Sequence, residues 1–399
     1  MLVENYQSIS SDDFIKNKSN FQLLFLTSLQ VVLAILWISF FAYGFSPQFS
    51  EYIATKLAWL PETAAAMRSA GIFLLMWTIL IQFLIIWQLP VERKSYFFYF
   101  NWTLIGGIVG IVYLLREINF AYFKPWFKNI FASDPELKQT FHRKSWQYIM
   151  IVCLMVFMVQ TIWCCFYIDP NSIQHVYSFN KYDPNYIIAN NYSGIWFTQL
   201  RFFTIQTNLL CFFFALLFTI KPSLKIFRHN SFLMYCTIYI ILVGLIFNCV
   251  LLPPRVATGE VAGWAPWHWY TNIILHILDP LFFGVTGFVV ITNNRKYATT
   301  NLINHLIYGM LIPFVYLTYA TFSSLVAAAP VYEGITNLNP FVLVLSEDLN
   351  SFGHVWRIVY LPIFMLVFAG CITGIYFVDK HCSKKYVALP INGNLMKVN

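Results

Sequence analysis

Apolar runs of transmembrane length recur along this chain, separated by short polar breaks. They fall at about 21–45, 70–89, 97–115, 147–168, 196–220, 232–252, 268–291, 302–328 and 354–378. About 20 apolar residues, rising ~1.5 Å each, cross the hydrocarbon core of a bilayer. The pattern therefore predicts nine transmembrane helices. Between the first two runs, the stretch TKLAWLPETAAAMRSA carries Lys56, Glu62 and Arg68 and reads as an interfacial helix. The third run places Gly106, Gly107 and Gly110 at small-xxx-small spacing, which predicts close packing of span 3 against the later helices.

A basic stretch, Arg116 to Trp146, interrupts the series. It divides the chain into an N-terminal three-span unit (1–120), a basic linker (121–145), a six-helix bundle (146–380) and a tail (381–399).

Composition agrees with a membrane protein: 59% of the 399 residues are hydrophobic and 11% charged, where soluble domains carry about 25% charged residues. The predicted class is an all-α polytopic integral membrane protein. The net charge of +8 comes from basic residues scattered among the loops, which argues against nucleic-acid binding. Counted over alternate loops of nine spans, the positive-inside rule places the N-terminus outside and the C-terminus in the cytoplasm. The first apolar run is too long for a signal-peptide core, and no small-x-small cleavage site follows it. Five of the eight cysteines sit inside apolar runs and none has metal-ligand spacing. Neither a metal nor a nucleotide cofactor is expected, because no HExxH motif, P-loop or dinucleotide loop occurs.

Candidate chemistry comes from polar residues inside the spans. Span 5 carries Arg201, Thr204 and Asn208 at helical spacing, and span 7 carries Asn272, His276 and Asp279 at intervals of four and three. Each set forms one helical face, and such a face belongs against protein rather than lipid. Thr204 lies eight residues past Trp196 and His276 eight past His268, so two helices entering from the same side bring them to equal depth. Asn248 on span 6 lies toward that side as well. A hydroxyl beside an imidazole is a nucleophile–base pair. Structural alternatives stand beside that reading. A helical threonine bonds its own i−4 carbonyl, and a histidine joins helices. An arginine near a span end snorkels, and Asp279 can serve backbone groups opened by Pro280.

The segments RFFTIQTNLL, ILVGLIFNCVLLPP, TNIILHILDPLFFGVTGFVV and LIYGMLIPFVYLTYA resemble six-helix bacterial integral membrane proteins. Those are similar in turn to the androgen-induced-protein family of animal membrane hydrolases, which cleave fatty acid esters of hydroxy fatty acids. The resemblance covers about Trp146 to Asp379. It implies Thr204 as nucleophile, His276 as base, a lipid-ester substrate entering from the membrane, and no cofactor. Oxyanion donors would come from Asn208, Asn248 or Asn272, with Asp279 orienting His276. Spans 1–3 have no counterpart in that family, and neither does Asp279. Two rival readings are a transporter or small-molecule-binding protein with Arg201, His276 and Asp279 lining a polar path, and a non-catalytic membrane scaffold.

Overall fold

The computed structural model describes residues 11–46, 64–88, 99–120, 123, 145–166, 200, 202–227, 229–257, 259–264, 266–293, 301–327, 351–384, 386–388 and 395–397. The protein is an all-α polytopic membrane protein. Its helices are α1 (Ser11–Gly44), α2 (Ala64–Gln88), α3 (Leu104–Glu117), α4 (Ser145–Phe166), α5 (Phe203–Ile220), α6 (Ser231–Ala257), α7 (Pro266–Asn293), α8 (Leu302–Ala327) and α9 (Ser351–Lys384). The only strands among the described residues form a short antiparallel ladder in the tail, Tyr386–Ala388 with Leu395–Lys397. All eight cysteines are free thiols.

Eight of these helices, all except α3, are long and apolar enough to cross a membrane. This corrects the expectation of nine. Helix α3 has 14 residues, about 21 Å at ~1.5 Å per residue, against a hydrocarbon core of ~30 Å. Its contacts say where it starts. Helices α1 and α2 are antiparallel: Arg68 Nη1 donates to Gly44 O at 2.7 Å, and Gln30 Nε2 donates to Gln82 Oε1 at 2.8 Å. Helix α3 also runs antiparallel to α1, since a methyl group at Gly107 would meet Val31 and one at Gly110 would meet Thr27. At its far end, Asn20 Nδ2 donates to Glu117 O at 3.4 Å. Helix α3 therefore begins beside Val31, midway along the apolar stretch Asn20–Gly44 of α1. It ends where α2 ends, with Ile81, Ile85, Leu114 and Ile118 in one cluster around Phe21 and Leu23. A helix that starts at mid-depth and leaves on the face its predecessor reached is re-entrant.

The later helices give an independent check on that topology. Helix α4 is antiparallel to α7 through Thr161–Asp279 and Phe157–Phe282. Helix α7 is antiparallel to α6 through His276–Asn248 and Gly287–Thr237. Helix α6 is parallel to α8 through Tyr235–His305 and Tyr239–Gly309. Helix α2 runs against α8, because Ser69 near its start bonds Tyr319 in the last third of α8 at 3.1 Å. Thus α2 and α4 run in opposite directions, as they must if α3 does not cross. Eight crossings return the chain to its starting side, whereas the nine expected from sequence would end on opposite sides.

The N-terminal unit docks on the bundle through α2. Met67, Ala70 and Met76 share a core with Tyr239, Tyr316, Tyr319, Ala320 and Phe368. The expected docking through Gly106 and Gly110 does not occur: Gly106 abuts Phe100 O, and Gly110 packs against Asn101 and Thr27. Small residues there let the re-entrant helix approach α1. Of the expected interfacial helix, Ala64 to Ala70 belongs to α2, and residues 55–63 lie outside the described residues, as does nearly all of the 121–145 linker. Large apolar side chains such as Ile105, Val156 and Leu366 are exposed on the outer faces, as lipid contact requires.

The topology makes a direct prediction. Cysteines introduced at Arg93 and at Lys296 should be labelled from the same side of the membrane by an impermeant thiol reagent. Labelling from opposite sides would restore the nine-span arrangement.

Candidate functional site

The site region is built around Pro280. Within α7, residues Ile274–Leu278 adopt a π-helical turn, and the amide of Asp279 reaches back five residues to Ile274 O. The next donor would be residue 280, but proline has no N–H. The carbonyls of Leu275 and His276 are therefore left without helical partners inside the membrane. Two asparagines supply them. Asn208 Nδ2 on α5 donates to Leu275 O at 3.3 Å, and Asn248 Nδ2 on α6 donates to His276 O at 2.9 Å. Each asparagine also bonds its own i−4 carbonyl, Thr204 O and Gly244 O, at 2.8 Å. Close approach of α6 to the proline needs Gly244, where a methyl group would fall 2.8 Å from Pro280 Cβ. Helix α6 has its own π turn at Phe247–Leu251, directly opposite that of α7. Paired π turns recur at functional sites.

The same device appears in α8. Pro313 strips Gly309 O of its i−4 donor, and the Tyr239 hydroxyl, fully buried on α6, donates to it. Tyr239, Pro313 and Gly309 escaped the sequence reading, although a glycine four residues before an intramembrane proline was a usable signal.

Asn208 Nδ2 binds Thr204 O and Leu275 O at once, so those two carbonyls are at most about 6 Å apart. Thr204 and the residue preceding His276 thus share one depth. That part of the sequence argument stands, though its ruler does not: α5 starts at Phe203, and Trp196 lies outside the described residues. Thr204 is half-buried and its hydroxyl makes no hydrogen bond among the described residues. Thr78, Thr237, Thr271, Thr292 and Thr321 all bond the carbonyl four residues back. Thr204 does not follow them, because it sits in the first turn, where Leu200 O takes Gln206 Nε2 at 2.7 Å instead. Phe202 provides no side-chain cap to that turn, so its N–H groups lack the usual partner.

The His276 ring stacks on Phe247, centroids 3.7 Å apart and planes at 8°. Its Nδ1 is buried with no hydrogen-bond partner. Arg255 lies in the last turn of α6. No hydrogen bond joins the ring to Thr204. A substrate carbonyl or a water between them would complete such a pair.

Other expected roles are corrected. Asp279 does not orient His276: it is fully buried and its Oδ2 accepts from Thr161 Oγ1 on α4 at 2.8 Å. The π turn rotates the two residues apart, so His276 faces α6 while Asp279 faces α4. Asn272 Nδ2 donates to His268 O at 2.8 Å, within its own helix. Asn208 and Asn248 each spend both amide N–H groups on backbone carbonyls, which removes them as ready oxyanion donors, whereas Asn272 spends one. Arg201 lies outside the described residues. Thr161 and Phe247 were missed because only packing shows which neighbour faces α7. No group of three His, Cys, Asp or Glu side chains among the described residues is placed to hold a metal ion.

The proline–asparagine coupling is measurable. Asn248→Ala should lower stability by ~1–3 kcal/mol, because it strands His276 O in the membrane interior. In a Pro280→Ala background residue 280 regains its N–H, and the cost of Asn248→Ala should fall to a fraction of that. A thermal double-mutant cycle would read the difference.

No family model matches this chain, and no solved structure matches it. The chain is similar to "Uncharacterized protein MG452" of Mycoplasma genitalium, with 26% identity over 180 residues covering 42% of this chain and 67% of that protein. It is also similar to "Uncharacterized protein MG133" of the same organism, with 23% identity over 199 residues covering 44% and 73%. The Mycoplasma pneumoniae homologue of MG452 shares 24% identity over 133 residues, 33% of this chain and 52% of its own length.

Proposed function

We propose that this chain is an intramembrane lipid-ester hydrolase in which Thr204 is the nucleophile and His276 its base. The observation that carries the reading is the Asn208 bridge, which ties the backbone of Thr204 to the residue before His276 while leaving the threonine hydroxyl and imidazole Nδ1 without partners. The resemblance of the surrounding motifs to membrane hydrolases supports it. Attack of the hydroxyl on an ester carbonyl would pass its proton to His276, and the open amides of the first turn of α5 would face the developing oxyanion. Those amides take the role first assigned to the asparagines. Collapse would break the ester C–O bond, the leaving alcohol taking the proton back from His276. Water activated by His276 would then release the acid and restore Thr204. Membrane lipids supply the substrate. The transport reading receives less support, since His276 and Asp279 face different helices.

We also infer the orientation. With eight crossings, Lys56, Arg68, Lys181, Arg201, Arg255 and Arg357 fall on one side, and the rest of the 25 Lys and Arg residues fall on the other. The positive-inside rule then makes both termini cytoplasmic and puts the Thr204 end of α5 at the external side.

A fluorophosphonate probe should label the purified protein, and Thr204→Ala should abolish both labelling and hydrolysis of a lipid ester. His276→Ala should lose ~10²–10⁴-fold in turnover, and the double variant should be no worse, because such a pair acts as a unit. A folded Thr204→Ala protein with full ester hydrolysis would remove the threonine from the mechanism.

A further inference from the structure

The re-entrant helix of the N-terminal unit ends in a cluster of polar groups that lack protein partners. Thr27, Gln30 and Asn101 are all 0% exposed. Thr27 Oγ1, Gln30 Oε1 and both amide atoms of Asn101 are buried without a hydrogen bond. Asn101 and Thr27 adjoin at Gly110. A methyl group at Gly110 would fall 3.0 Å from Asn101 Oδ1, 3.2 Å from Asn101 Nδ2 and 3.1 Å from Thr27 Cγ2. Gln30 lies one turn beyond Thr27 on the same face of α1, and its Nε2 is turned to α2, where it donates to Gln82 Oε1 and Thr78 O. Its oxygen is left for another partner.

Depth adds to the argument. Thr27 and Gln30 lie in the middle part of the apolar stretch Asn20–Gly44, and Asn101 lies three residues before the start of α3. Four unpaired polar atoms there would cost several kcal/mol if nothing met them. Non-helical backbone at membrane depth is found where it lines a polar cavity or is buried in protein.

We propose that Thr27, Gln30 and Asn101 form a binding site for an uncharged hydroxyl group at the tip of the re-entrant helix. Charge selects the guest. The cluster contains no ionisable side chain. The N-terminal end of α3 carries positive partial charge, which disfavours a cation. Gln30 Oε1 and Asn101 Oδ1 present acceptors, which disfavour an anion. A hydroxyl donates to one of those oxygens and accepts from Asn101 Nδ2 or Thr27 Oγ1, so it suits a mixed set of partners. Water and a small polyol both offer this chemistry. The site belongs to the three-helix unit and does not depend on the hydrolase reading.

Stability measurements on the purified full-length protein in nanodiscs test the site. Thr27→Val keeps the side chain's shape and removes a hydroxyl that has no protein partner. If a guest is bound, the variant loses the guest's hydrogen bond and Tm should fall by ~2–4 °C. If the cluster is dry, the variant removes an unpaired polar group and Tm should stay or rise, which would overturn the proposal. Should Thr27→Val fail to fold, Asn101→Leu gives the same choice of sign. Glycerol is then compared with glycine betaine at equal osmolality. A larger rise in Tm with glycerol, present in the wild type and absent in Thr27→Val, identifies a polyol guest. An equal response in both proteins, together with the lowered Tm of Thr27→Val, identifies water.

Discussion

A bilayer offers no water to a stranded carbonyl, and that constraint organises this protein. A proline inside a spanning helix frees a backbone oxygen that a side chain, a water or a local π or 3₁₀ turn meets. Pro280 frees two, answered from α5 by Asn208 and from α6 by Asn248, and Pro313 frees one, answered by Tyr239. These bonds fix the mutual depth of α5, α6, α7 and α8. Asn208 and Asn248, which looked like catalytic donors, are structural.

Buried polar atoms of the bundle without a partner among the described residues include His276 Nδ1, Thr207 Oγ1, Asn208 Oδ1, Asp279 Oδ1 and His305 Nε2, and the half-buried Thr204 hydroxyl stands beside them. Asp279 is held by Thr161 on α4, away from the imidazole three residues before it. One helix thus carries two ionisable groups aimed at different neighbours, because the π turn between them adds a residue to the turn and breaks the expected stripe.

The N-terminal unit obeys the same constraint in a different form. Its third helix enters the apolar layer without crossing it, so the tip must bring its own hydrogen-bonding surroundings. Glycines 107 and 110 allow that tip to press against α1, and docking to the bundle is left to α2. Of the pair at small-xxx-small spacing, Gly110 meets α1 while Gly106 abuts Phe100 O, and Gly107 supplies the second close approach to α1.

Sequence alone determined the class, eight of the spans and the residues whose polarity was out of place in lipid. Those follow from transfer free energies, which depend on composition over a window and need no knowledge of neighbours. The shared depth of Thr204 and His276 was legible too, because rise per residue is constant along a helix. Tertiary structure decided the rest. Whether 97–115 crosses depends on where α3 begins against α1, and an apolar stretch that dips in and returns has the same composition as one that crosses. Whether Asn208, Asn248 and Asp279 serve chemistry or structure depends on which carbonyl or hydroxyl stands opposite. That is set by helix rotation, and a single π turn is enough to alter it.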